Sequence, residues 1–352
     1  MRVLNYLELA TRLDRSGIGT ATDHQRKALA GSPHEVVTSP WPGRSTPRGI
    51  GRMLAGRGVF EEIDLVHCNL IGPGSALVAR RAIGTDTPLI LHSHVTAEDF
   101  AESFRLSERV APLLRHYLRW FYSQADLVLC PSEYTRSNLV GYPVDAPIRP
   151  ISNGVDAARL AGFEEFRVSY RERYDLEGPV VFSVGNVFER KGLTRFCELA
   201  MDIETPFVWF GPYDDGPQAS RLVKRWTRDP PANVRFTGWI DDIRGAYGAG
   251  DIYCFPTKDE NQGIAVLEAM ACGKPVVLSE LPVFHEYFED GVDCLLCSSH
   301  EEFRQALERL IRDPALRARL GANARETAAE HSLERLRTEL EASYSAVLAA
   351  AE

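Results

Sequence analysis

Short apolar runs recur along the whole chain, each followed by a stretch with helical character. This alternation constrains the fold more than any other feature. The first half holds VLNYLE, EVVTS, LVHCN, LILHSH, LVLCPS and IRPISN; the second holds VVFSVG, FVWFG, VRFTG, IYCFPT and PVVLSE. Most are bounded by Gly, Pro, Ser or Asp. Strands alternating with helices build βαβ units and parallel sheets. Eleven such runs are too many for one open sheet, so the pattern predicts an α/β protein of two doubly wound domains. The break falls near ISNGVDAARL, where Asn153-Gly154 signals a turn and a charged segment precedes a fresh strand at Val180. The expected domains are 1–155 and 156–330, followed by a terminal helix over 331–352.

The bulk composition agrees. With 352 residues, 44% hydrophobic and 25% charged, the chain can build two cores. No run of 18 apolar residues suggests a membrane span, and the start lacks the small-residue cleavage site of a secretory signal. Seven cysteines, an odd count, sit mostly in apolar runs such as LVLC and DIYC. They read as buried reduced thiols of a cytoplasmic protein. Cys294 and Cys297 form one C-x-x-C, but no second pair completes a zinc site. A net charge of −9 argues against a nucleic-acid partner.

In α/β sheets ligands gather beyond the carboxyl ends of the strands, and four such places carry suggestive residues. DRSGIGT offers Gly17 and Gly19 before a helix, a weak anion-binding signal or a plain turn. LHSHVT puts His92 and His94 on one side of a strand end, as polar ligand contacts or as satisfied core histidines. VFSVGNVFERKGL ends a strand at Gly185 and then carries Asn186, Arg190 and Lys191 before a helix opening at Gly192. Two cations beside a helix N-terminus suit a diphosphate, unless they are simply solvated. DENQGIAVLEAMACGKP follows a strand. Its helix should run from about Gly263 to Cys272, with N–H groups of Gln262, Gly263 and Ile264 at its start. Glu260 lies before the helix and Glu268 inside it, as grips on one extended ligand or as a cap and a surface ion pair.

These residues resemble a known family. ENQGIAVLEAMACGKPVV looks like the Glu-x7-Glu region of GT4 retaining glycosyltransferases, which have the GT-B fold of two Rossmann-like domains facing a cleft. SGIG, LHSH, PSEYTRSNL, ISNGVD, VGN…RKGL and VRFTGWIDD match in the family's order over most of the chain. HVTAEDF, SFR, APLLRHYLRWFYSQADLVLCPSEYT and ENQGI most resemble the diacylglycerol glucosyltransferase branch. The resemblance implies that Glu260 contacts the donor sugar hydroxyls and Glu268 the ribose diol. Gln262, Gly263 and Ile264 would meet sugar and diphosphate. Arg190 and Lys191 would neutralise the leaving diphosphate. Gly17 to Gly19 would line the cleft, and His94 would lie near the sugar. Many members carry Arg where this chain has Asn186, which shifts the phosphate load to Arg190 and Lys191.

The implied activity is transfer of a hexose from a nucleotide sugar, UDP-glucose by branch, to a membrane lipid of diacylglycerol or glycolipid type. A polyprenyl-linked or soluble glycan acceptor, a GDP-mannose donor, or a non-catalytic nucleotide-sugar-binding module are the alternatives. Preorganised cations and helix N–H groups stabilise the leaving charge, so no metal is required, though a divalent ion is compatible. No nucleophile for a double displacement stands out, which favours attack on the face that the nucleotide leaves. The last helix would return to the N-terminal domain, as in the family. Over 100–124, Arg105, Arg109, Arg115, His116 and Arg119 share one helical arc of about 120°, with Trp120 at its border and Pro112 expected to kink or split the helix. The apolar arc opposite, which includes Leu113, would pack on the first sheet. The cationic face would either point to water or dock on anionic lipid at the inner face of the cell membrane.

Overall fold

The computed structural model describes residues 1–13, 16–38, 62–96, 107–214, 216 and 219–351. The chain divides into two units. The first holds Met1–Glu98, Arg109–Gly154 and Leu333–Glu352; the second holds Val155–Ser332.

Each unit is built on a six-stranded parallel sheet, so the expected pair of doubly wound domains is what the chain forms. The first sheet comprises β1 (Arg2–Tyr6), β2 (Glu35–Val37), β3 (Leu65–Cys68), β4 (Leu89–His92), β5 (Leu127–Cys130) and β6 (Ile148–Pro150), in the order β2-β1-β3-β4-β5-β6. The second comprises β7 (Val181–Val184), β8 (Phe207–Phe210), β9 (Val234–Phe236), β10 (Ile252–Phe255), β11 (Val276–Ser279) and β12 (Leu295–Cys297), in the order β12-β11-β10-β7-β8-β9. The eleven expected runs account for β1 to β11. The twelfth, β12, is a three-residue edge strand inside the Cys294–Cys297 segment. All seven cysteines are free and buried.

Central strands are buried on both faces, and the alternation of side chains sorts them into separate cores. In the first unit Leu4, Val66, Leu91 and Val128 pack on one face. Val3, Leu65, Ile90 and Leu127 pack on the other, under α1 (Gly17–Leu29) and α7 (Leu333–Ala351) through Ala28, Leu29, Leu336, Leu340 and Tyr344. The terminal helix is therefore part of the first unit's core. The helix carrying the basic arc, α3 (Ser107–Tyr122), is not split at Pro112. A proline there removes only the bond to residue 108, in the helix's opening turn.

In both sheets the chain reverses its direction of travel once. In the first unit that switch lies between β1 and β3; in the second it lies between β7 and β10. Loops leaving the carboxyl ends of such a strand pair diverge to opposite sides and leave a crevice.

Candidate functional site

In the second unit the two loops at the switch are the ones that carry Asn186 to Lys191 and Thr257 to Gly263. They are laced together by hydrogen bonds to backbone carbonyls. Lys258 N donates to Arg190 O at 2.8 Å, and Arg190 Nη1 donates to Asp259 O at 2.7 Å. Gly192 makes this approach feasible. It opens α4 (Leu193–Asp202) with φ +81°, and a Cβ there would lie 1.9 Å from Pro256 O. Only glycine fits both the backbone and the space.

Lys191 is placed by a second glycine. Gly185 has φ +126°, and a Cβ on it would come within 3.0 Å of Lys191 Nζ. The ammonium thus lies over the end of β7, 5.6 Å from the Phe255 ring centroid. The neighbouring Lys258 pairs with Glu189 at 3.2 Å. Asn186 follows Gly185 and is half-buried.

The helix after β10, α5 (Ile264–Ala271), starts at Gly263 with φ +90° and has no side-chain cap. Its first N–H groups have no partner within the helix, which makes this end electropositive. Glu260 is half-buried, and its Oε1 accepts from Asn261 N at 3.0 Å. It does not bond the helix start itself. Glu268 is only 7% exposed, so it is not a surface ion pair. Its Oε2 accepts from Tyr247 Oη at 2.6 Å. Burial and the adjacent Glu268 push the Tyr247 phenol well up, so it stays a donor.

In the first unit Gly17 and Gly19 form the opening turn of α1, where Ser16 Oγ caps Gly19 N at 3.2 Å. A Cβ on Gly17 would meet nothing within 4 Å, so packing alone does not demand glycine there. His94 follows β4. It stacks on His92 at 4.2 Å, and its Nε2 meets Asn69 Oδ1 at 3.3 Å. Burial lowers the His94 imidazole to about 3. It also lowers His67, to about 3, with the charge of His94 adding to the effect.

Asn5, His67 and Asn69 escaped the sequence reading. The signal was there: VLN, LVH and LILH each break an apolar run with a polar residue at the end of adjacent strands. In register Asn5 lies opposite His67, and His92 belongs to the same face of the next strand.

On α3, Arg115, His116, Arg119 and Trp120 are exposed. Leu113, expected on the packed arc, is 73% exposed, and Trp120 is 53% exposed. Arg115 lies 4.9 Å over the Tyr142 ring. Arg109 lies on this helix, while Arg105 lies outside the described residues. A separate concavity of about 910 Å³ lies in the second unit beside Pro206, Trp226 and Asn233. Pro206 and Asn233 immediately precede β8 and β9, at the end of the sheet opposite to the strand ends that carry the switch-point loops, so it is not the site described above.

Two such six-stranded doubly wound units are the GT-B arrangement, which the chain's structural neighbours share. Two family models match successive halves of the chain: Glycosyltransferase Family 4 over 7–159 and Glycosyl transferases group 1 over 167–327. The chain belongs to this glycosyltransferase family. It is 28% identical to the processive diacylglycerol alpha-glucosyltransferase of Acholeplasma laidlawii over 99% of both chains. It is 26% identical to the alpha-monoglucosyldiacylglycerol synthase of Streptococcus pneumoniae over 72% of this chain and 60% of that one. Among solved structures it resembles Anabaena HepE, crystallised with UDP and glucose, with a TM-score of 0.77 and 19% identity. That match covers 98% of this chain and all of the other.

Proposed function

We propose that this protein is a retaining glycosyltransferase that moves glucose from UDP-glucose to a membrane lipid of diacylglycerol or glycolipid type. Glu268 carries the reading. A buried carboxylate with a neutral donor on one oxygen keeps acceptor capacity for a vicinal diol, such as that of a ribose. Glu260, one loop earlier, takes the sugar hydroxyls, with backbone support from Gln262, Gly263 and Ile264. Arg190, Lys191 and the start of α5 hold the diphosphate, with Asn186 beside them. For the first unit, His94, Gly17 and Gly19 keep the roles that the family resemblance implies.

As the anomeric carbon–oxygen bond breaks, negative charge develops on the diphosphate and Lys191 and Arg190 stabilise it. The acceptor hydroxyl attacks the face that the nucleotide leaves, forming the new glycosidic bond. Its proton passes to the departing diphosphate oxygen, so configuration is retained. This route asks for no metal.

The lipid acceptor is supported by similarity to proteins named for diacylglycerol glycosylation and by the outer face of α3. There Leu113 and Trp120 stand exposed among Arg115, His116 and Arg119. Such a face suits peripheral docking on anionic headgroups. Among the described residues no helix is long and apolar enough to cross a membrane. A mannosyl donor is the second reading, favoured by 27% identity to a GDP-mannose-dependent phosphatidylinositol mannoside mannosyltransferase over 74% of this chain.

A thermal-shift screen of UDP, UDP-glucose and GDP-mannose tests the donor, since stabilisation follows occupancy. Radiolabelled transfer to diacylglycerol in anionic vesicles, against a soluble glycan, tests the acceptor. A shift with GDP-mannose alone, or transfer only to the soluble glycan, would replace the corresponding half of the proposal.

A further inference from the structure

The polar residues at the first unit's strand ends form one chain of hydrogen bonds, and a guanidinium at its root fixes its direction. Arg26 Nε reaches Asn5 Oδ1 at 3.2 Å, and Arg26 Nη2 reaches Asn5 O at 3.1 Å. A guanidinium only donates, so the Asn5 atom that it meets is the carbonyl oxygen. The Asn5 amide nitrogen must then point the other way, and it donates to Gln25 Oε1 at 2.8 Å. That turns the Gln25 amide nitrogen toward His92 Nδ1 at 3.1 Å, so Nδ1 accepts and the His92 proton is on Nε2. His67 Nε2 also meets His92 Nδ1 at 3.3 Å, while His67 Nδ1 meets Tyr344 Oη at 2.9 Å. Both contacts are met when the phenol donates and His67 too is protonated on Nε2.

A branch from the same oxygen reaches His94. Asn69 Nδ2 donates to Asn5 Oδ1 at 3.4 Å, which leaves Asn69 Oδ1 facing His94 Nε2 at 3.3 Å. An amide oxygen only accepts, so His94 carries its proton on Nε2.

We propose that Arg26, acting through Asn5 and Asn69, locks His94 as a neutral imidazole protonated on Nε2, so that Nδ1 stands as an acceptor for a ligand hydroxyl. Arg26, Asn5 and Asn69 are positioning residues. The hydroxyl-bearing ligand is the sugar of the proposed function and rests on that reading; the tautomer does not. His24 supplies an internal contrast. Its Nδ1 lies 3.2 Å and 3.1 Å from the carbonyl oxygens of Asn153 and Gly154, so it is protonated on Nδ1, the opposite tautomer.

Two-bond proton–nitrogen correlation spectra of the full chain labelled with [15N]histidine read these states directly at pH 7, without ligand and without an activity assay. His67, His92, His94 and His24 are assigned by single replacements. The expected pattern is Nε2–H for the first three and Nδ1–H for His24. Arg26→Gln, whose amide can either donate or accept, should leave His92 and His94 as mixtures of tautomers. Arg26→Lys, still a pure donor, should keep them single, and His24 should be unchanged in both. Asn69→Leu cuts only the branch, so His94 alone should become mixed; this variant carries the test if Arg26→Gln does not fold. An Nδ1–H or imidazolium His94 in the parent protein would overturn the proposal. So would a His94 that stays purely Nε2–H in Asn69→Leu. Loss of glucose transfer alone would concern the proposed function and leave the tautomer assignment standing.

Discussion

The two sets of strand ends are topologically alike and chemically opposite. At the switch of the first sheet most polar groups are uncharged amides and imidazoles that largely satisfy one another: Asn5 with Gln25, Gln25 with His92, His67 with Tyr344, Asn69 with His94; the one buried carboxylate described beside them, Glu8, accepts from Ser75 N at 3.0 Å. The one cation in that chain, Arg26, comes from α1 and bonds Asn5. At the switch of the second sheet stand Arg190, Lys191, Glu260 and Glu268. There the loops are held by bonds to backbone carbonyls, one of them from the Arg190 guanidinium, and by glycines. A neutral network can be rigid without a ligand. A charged one is worth its desolvation only where a charged ligand or transition state will meet it.

Acid should break the first set before the second. His67 and His94 titrate near 3 in the folded chain, and His92 is held well below its usual range by burial and its two histidine neighbours. The unfolded chain takes up protons at about 6.5. Below that pH the unfolded state binds protons that the native state refuses, so stability is full above 6.5 and falls as pH drops toward 3. The slope is about 1.4 kcal/mol per pH unit for each histidine, or up to ~4 kcal/mol for three over one unit. Urea unfolding at pH 7 and pH 5.5 measures it, and His67→Gln should make the slope shallower. Equal stability of the parent protein at the two values would mean that these imidazoles are not buried neutral.

Removing a cation should break the second set without unfolding it. Lys191→Ala is expected to lower the transfer rate ~10²–10³-fold, as for loss of one preorganised stabiliser of transition-state charge. The melting temperature without ligand should move little, because the backbone path of this loop is set by Gly185 and Gly192. Glu268→Gln keeps the shape and loses the charge. It should weaken UDP binding by about 1.5–3 kcal/mol, the scale of a charge-assisted hydrogen bond, read by calorimetric titration. Unaltered UDP affinity would remove Glu268 from the donor site.

The contrast was only half legible in the sequence. The alternation of apolar runs and helices is imposed by burial of parallel strands on both faces, and it located eleven of twelve strands. The second unit's residues were legible because loop chemistry is local: Gly185, Gly192 and Gly263 punctuate the same segments that carry Lys191 and Glu260. Glu268 could be named, but its burial could not, because Tyr247 reaches it from 21 residues away. The first unit's network was mostly hidden for the same reason. His67 is brought to Tyr344 across 277 positions by a terminal helix packed on the first unit, and to Asn5 by sheet register. Leu113 was assigned to the packed arc by periodicity alone, which cannot tell where a neighbour's cover ends.

The finest test of the contrast uses two buried phenols, one in each unit. Tyr247 donates to a carboxylate and Tyr344 to an imidazole, at 2.6 Å and 2.9 Å. A hydrogen bond between neutral groups contributes about 0.5–1.5 kcal/mol, and one to a charged acceptor about twice that. Tyr344→Phe should therefore cost about 1 kcal/mol of stability and leave UDP affinity unchanged, since its partner lies in the neutral network. Tyr247→Phe should weaken UDP binding only a few-fold, through the orientation of Glu268, while the folded state also loses a donor to a buried carboxylate. Melting curves and UDP titrations on both variants give four numbers. If the two phenols prove interchangeable in both measurements, the division into a mainly neutral strand-end network and a charged, ligand-directed one does not hold.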